Sequence, residues 1–237
     1  MKPLYRSFAM FIKQIFKDSM LFMVCIAVVL TAFFIRFGIP AAEKFLCSYF
    51  NKEAILLNYY LLCDLFLALM TPYMFCFASA LMMLTEYDEN IASFLAVTPV
   101  GKKGYVISRL IFPAGIAFIV SVIILSIFSL TEWSVWMIII ICLLTSVSSV
   151  IITLFLFSFS HNRVEGMALG KLSGILMLGL PVPFFLTNKF QYLFSFLPSF
   201  WIAKLCISEN GIYLLLALAT SVIWISIIYK KFSRKMI

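Results

Sequence analysis

An all-α membrane protein with six transmembrane helices is the fold class that the sequence predicts, and three observations carry it. Hydrophobic residues make up 64% of the chain and charged residues only 12%, with a mean hydropathy of +1.11. That balance leaves too few charges to cover a water-soluble domain of 237 residues, so a bilayer is the expected solvent. Six apolar runs, near 19–39, 56–84, 110–130, 135–159, 172–187 and 211–229, approach or exceed the ~20 residues that a span needs. Basic residues are unevenly shared between the two sides that six spans create, thirteen against five. By the positive-inside rule both termini face the cytoplasm, and the net charge of +8 is a topology signal, with no aromatic-interleaved basic patch to suggest nucleic acid.

Taken in order, residues 1–18 are too polar to span. At 100° per residue Lys2, Arg6, Lys13 and Lys17 fall within about 60° of one another, with Leu4, Phe8, Phe11, Ile12, Ile15 and Phe16 over much of the remainder. This predicts an amino-terminal interfacial helix on the inner leaflet; a plain basic flank is the alternative. No small-residue cleavage site follows the first apolar run, so that run is expected to stay as a membrane helix. An outer loop near 40–55 then leads to a second, overlong span in which Pro72 predicts a kink.

Asp64 in the second span is the charge a bilayer tolerates least. Arg36, near the outer end of the first span, is its expected partner in an intramembrane ion pair, with a substrate-contacting or proton-handling role as the alternative.

Residues 85–105 interrupt the apolar chain with TEYDENIASFLAVTPVGKKGY. Thr85 followed by Asp88 reads as a capping box, placing Glu86, Asp88 and Glu89 at the amino-terminal end of a new helix. Ile91, Phe94 and Leu95 give that helix an apolar face, and Pro99 stops it before a turn carrying Lys102 and Lys103. An acidic leading end would be repelled by anionic lipid, so docking to a cytoplasmic partner is the better account of this helix than lying on the bilayer.

The third span is followed by a turn at 131–134 and the fourth by the inner loop HNRVEGMALGK. Glycines at 166, 170 and 174 share a helical face that lets another helix approach closely, within this chain or across a dimer seam. Pro181 and Pro183 cut the fifth span short. The outer segment 188–210 is aromatic, broken by Pro198, and too short for a further span with its turns. It predicts re-entrant outer helices before the last span, with Phe196, Pro198 and Trp201 as their marks, or else an apolar loop lying on the bundle.

Catalytic and metal signatures are missing. His161 is the single histidine, no Cys/His cluster has ligand spacing, and neither a Gly-x-Ser-x-Gly elbow nor a phosphate-binding loop is present. The expectation is no enzyme activity, no metal and no cofactor in this chain. Cys47 and Cys206 fall on the predicted outer side, where a disulfide between them is open.

The order of these parts resembles the permease subunits of type-2 ABC exporters, in particular small drug-export or lantibiotic-immunity permeases. It rests on the acid-rich helix, LAVTP, the basic GKKGY turn, Arg109 at a span entrance, NRVEGMALGK and LPSFWIAK, and covers most of the chain as one permease domain, 1–237. The resemblance implies that 85–105 is a coupling helix and turn that engages a separate cytoplasmic ATPase through Glu86, Asp88, Glu89, Ile91, Phe94 and Leu95. It implies ATP and Mg on that partner, a second permease copy or a related permease beside this one, and export of a hydrophobic or amphipathic substrate. Lys-, Ile- and Phe-rich composition suits an AT-rich bacterial genome, hence a bacterial inner or plasma membrane. A stand-alone secondary transporter, or a membrane immunity or sensor protein, is the competing reading.

Overall fold

The computed structural model describes residues 2–91, 101–186 and 188–235. It is helical throughout, with no strand among the described residues. Six helical segments are long and apolar enough to cross a membrane: Ser19–Phe50, Leu57–Asp88, Lys103–Phe128, Val135–Phe159, Arg163–Phe185 and Gly211–Lys235.

Helix α1 (Lys2–Lys17) is strongly amphipathic and packs Phe11 fully out of solvent. Asp18 ends it and starts α2 (Ser19–Phe33), its carboxylate accepting from the amides of Met20 at 3.0 Å and Leu21 at 3.2 Å. These are two of the amides that no intrahelical carbonyl can reach. A π-helical turn, Phe34–Gly38, carries the chain into α3 (Ile39–Phe50). The expected loop near 40–55 is thus mostly helix: the backbone stays helical from α2 into α3, and the π-helical turn lies just before Pro40, where a missing amide would otherwise break an α-helical ladder. Asn51, at φ 50°, then stops α3.

Helix α4 (Tyr60–Asp88) is the central pillar and the most enclosed span, packed against α2, α6 (Phe112–Phe128), α7 (Val135–Phe159) and α8 (Arg163–Ser173). Between α4 and α6 lie α5 (Gly101–Val106) and a second π-helical turn, Ile107–Ile111. The capping-box reading at Thr85 is corrected here. α4 runs through Thr85 to Asp88, and the Thr85 hydroxyl donates to the Leu81 carbonyl at 3.1 Å. The acids therefore lie at the carboxyl end of a long helix, and Asn90 at φ 59° turns the chain away.

The fifth span is a composite. α8 passes into a 3-10 turn, Gly174–Met177, and then the short α9 (Val182–Phe185), which follows Pro181 and holds Pro183 in its first turn. A Cβ at Gly166 would lie 2.4 Å from Leu84 Cδ1, and one at Gly170 2.3 Å from Phe77 Cε2, whereas one at Gly174 would meet nothing within 4 Å. Two of the three glycines thus serve close packing of α8 on α4 within this chain. After a 3-10 turn, Lys189–Phe194, helix α10 (Pro198–Ser208) packs into the bundle against α7 and α11 (Gly211–Lys235), burying Phe200, Ile202 and Ala203 completely.

Candidate functional site

The strongest constellation lies at the end of the bundle that carries both termini. Glu86, in the last turn of α4, meets Arg109 in the π-helical turn before α6. Arg109 Nη2 is 2.7 Å from Glu86 Oε1, and its Nε donates to Oε2 at 3.0 Å. The guanidinium lies 4.8 Å from the centroid of Phe11 on α1 and 5.6 Å from that of Tyr105. Ser79 donates to the Arg109 carbonyl, fixing the turn to α4. Relative exposure is 1% for Glu86 and 2% for Arg109, so neither charge has water to fall back on. A pair this dry adds little net stability, yet removing one partner strands the other at a cost of about 3–5 kcal/mol. The pair closes the base of the polar loop between α4 and α6 and ties it to α1.

A second cluster ties that loop to the next one. Asp88 Oδ2 accepts from the backbone amide of Arg163 at 3.1 Å, while Arg163 Nη1 reaches Asp18 Oδ2 at 2.6 Å. Hydrogen bonding from Arg163 holds the Asp18 carboxyl below its ordinary range. Asn162 caps α8 by accepting from the Glu165 amide at 2.8 Å, and Glu165 accepts from the His161 amide at 2.6 Å. Lys235 closes the carboxyl end of α7, donating to Phe157 O at 2.7 Å and to Ser160 O.

The residues expected to touch a partner are thereby divided. Glu86 is internal, Asp88 is exposed but engaged with Arg163, Glu89 is exposed and Ile91 half-buried beside it. Phe94, Leu95 and Pro99 lie outside the described residues. Sequence reasoning placed Arg109 at a span entrance but missed its bond to Glu86. The available signal was an arginine at the mouth of an apolar span, which needs a partner.

At the opposite end the expected Asp64–Arg36 pair is replaced by two separate grips on one turn. Asp64 is fully buried and accepts from the amides of Leu130 at 2.8 Å and Thr131 at 2.9 Å, the Thr131 hydroxyl at 2.5 Å and Trp133 Nε1 at 3.0 Å. Arg36 Nη1 donates to the Ser129 carbonyl at 2.5 Å. Four donors satisfy the carboxylate without a second buried charge, which is why no ion pair is needed. In the outer segment Pro198 opens α10, Trp201 Nε1 donates to Ser195 O at 2.7 Å, and Phe196, 52% exposed, accepts at its carbonyl from Trp224. Cys47 and Cys206 are free thiols, Cys206 buried in α10. Among the described residues no three His, Cys, Asp or Glu side chains are grouped to hold a metal.

Two larger cavities flank these elements. One of about 490 Å³ lies between the first, second and fifth spans, with Phe34, Cys63, Phe66, Met177 and Pro181 in its wall. The other, of about 360 Å³, lies between α1 and the spans beside the Glu86–Arg109 pair.

The family described as fluoroquinolones export permease protein Rv2686c-like matches residues 11–230. Two relatives, the fluoroquinolones export permease proteins MT2760 and Rv2686c from two strains of Mycobacterium tuberculosis, are each 26% identical over 199 residues, covering 81% of this chain and 77% of theirs. No solved structure matches.

Proposed function

The chain belongs to the Rv2686c-like family, a family of export permeases, and on that premise we propose that it is the membrane-spanning subunit of an exporter driven by ATP hydrolysed in separate subunits. The observation that carries the proposal is the Glu86–Arg109 clasp at the base of the 85–105 loop. A loop that only joined two spans has no need of a dry ion pair across its root. A loop that takes a push from outside the membrane does, because the push must reach α4 and α6 together rather than bend the loop.

In this account the exposed acid Glu89, with Ile91, Phe94 and Leu95, meets a cytoplasmic ATPase that binds ATP and Mg. Asp88 and Glu86 lie behind that surface and pass its displacement on, Asp88 to α8 through Arg163 and Glu86 to α6 through Arg109. Both termini are cytoplasmic, in keeping with the thirteen-to-five distribution of basic residues. A second permease copy, or a related one, completes the path, and the cavity between the first, second and fifth spans faces it. Its lining suits a hydrophobic or amphipathic cargo, and the relatives' fluoroquinolones are such molecules. Purification of the tagged chain from its native membrane tests the reading. A stoichiometric ATPase in the complex supports it. A chain that purifies alone, with efflux abolished by a protonophore at unchanged ATP, contradicts it.

A further inference from the structure

The fifth span breaks inside the bundle, and hydroxyls gather around the break. Backbone that leaves the α-helical ladder at membrane depth is tolerated only where protein or water satisfies its polar groups. Ser173 donates to the Gly170 carbonyl at 2.7 Å, and Ser199, from α10, donates to the Leu176 carbonyl at 2.6 Å. Tyr73, from α4, spends its proton on the same pair, 2.6 Å from Ser173 Oγ and 3.2 Å from the Gly170 carbonyl. Beside these groups a cavity of about 20 Å³ lies between α4, α7, the 3-10 turn and the start of α10. Tyr73, Ser148, Ser149 and Ser199 line it, with no charged residue in its wall. Ser149 is fully buried, and its Oγ has no hydrogen-bond partner among the described residues.

We propose that this cavity is the site of one internal water. Its volume takes a single water molecule and is too small for a cargo. The count of donors then selects water over an ion. Ser148 gives its proton to the Thr145 carbonyl at 2.9 Å, and those of Ser199 and Tyr73 are spent at the break. Each of these three oxygens has only lone pairs left to offer, and of the four hydroxyls Ser149 alone keeps a free proton. A water meets both needs, accepting from Ser149 and donating to two of the other oxygens. A cation would find no carboxylate in this wall to balance it. The water ties α7 to α4 and α10 at the level of the break. Unlike a side chain it can re-aim its bonds, so the 3-10 turn can shift without stranding Ser149. The site is independent of whether an ATPase docks on the loop, so either proposal can fail alone.

Radiolytic labelling of the full-length chain in nanodiscs tests it. A brief X-ray pulse makes hydroxyl radicals from water where the water sits, and mass spectrometry reads the side chains oxidised beside it. Tyr73 is the reporter, because it lines this cavity and neither of the two larger ones. Met83, a more reactive side chain that is fully buried and lines none of the three, is the dry control. The expected result in the unmodified protein is oxidised Tyr73 beside unlabelled Met83. Ser149→Val removes the free proton and fills the space, and the labelling of Tyr73 is lost. Ser149→Ala removes the proton without adding bulk and weakens that labelling. Unfolding would instead spread label through the core, Met83 included, so a loss confined to Tyr73 reads the water and not the fold. Tyr73 no more labelled than Met83 in the unmodified protein overturns the site. Labelling of Tyr73 that neither substitution lowers overturns it too.

Discussion

Arg109 holds Glu86 by paired hydrogen bonds across 23 residues of sequence, Nη2 to Oε1 at 2.7 Å and Nε to Oε2 at 3.0 Å, in surroundings that exclude water. This asymmetry between making and breaking a buried pair gives the first prediction. Glu86→Ala or Arg109→Ala lowers the stability of the purified protein by about 3–5 kcal/mol, whereas Glu86→Leu/Arg109→Met recovers most of the loss. Thermal unfolding in detergent reads both. If the double variant is as unstable as either alanine variant, the pair is not acting as a unit. On the functional account the double variant folds but exports poorly, because apolar contact replaces a directional bond.

Asp64 supplies the second prediction. Asp64→Ala leaves the amides of Leu130 and Thr131 and the indole of Trp133 without an acceptor, at about 1–3 kcal/mol for each donor left dry. Asp64→Asn keeps one acceptor oxygen and loses less. Arg36→Ala gives up one bond to Ser129 near the surface and is the mildest of the three. Unfolding temperatures in the order Arg36→Ala, Asp64→Asn, Asp64→Ala, from highest to lowest, are expected; an ion pair would instead make the Arg36 and Asp64 losses comparable.

Close packing of α8 on α4 gives the third. Gly166→Ala and Gly170→Ala each drive a methyl into Leu84 or Phe77, an overpacking cost of about 1–3 kcal/mol. Gly174→Ala meets open space and changes the unfolding temperature little. Equal effects at all three positions would mean that Gly174 packs against something outside this chain.

The Asp18–Arg163 bridge sets a pH dependence. Because the folded-state pKa of Asp18 lies below its ordinary 3.8, the bridge stabilises fully above that value and is lost as pH falls through the depressed one. The stability gap between the unmodified protein and Arg163→Ala is therefore constant near neutrality and narrows under acid. A gap that widens under acid would contradict the assignment.

Hydropathy made the six spans legible because length and apolarity alone define them, yet it failed where local pattern had two solutions. Thr-x-x-Asp suits a helix start, but Thr85 can equally donate back to Leu81 within a continuing helix, and the packing of α4 chose the second. IPAAEKFLCSYF is too polar to register as span, although nothing in it prevents a helix, so a hydropathy profile does not show α3. Arg36 and Asp64, an expected pair, instead each bond to the turn after α6. Backbone amides in that turn were the nearer partners, and no hydropathy profile locates them. The clasp was hidden for a related reason. Its members belong to no common period, and only the packing of α4 against the π-helical turn before α6 brings them together.

Phe94→Asp/Leu95→Asp, in a tagged chain that still inserts and purifies in normal amount, is the most direct test of the docking account. ATPase recovered with the chain from its native membrane should fall at least tenfold, with efflux falling in parallel. Unchanged ATPase recovery with that double substitution would contradict the assignment of residues 85–105 as the coupling element.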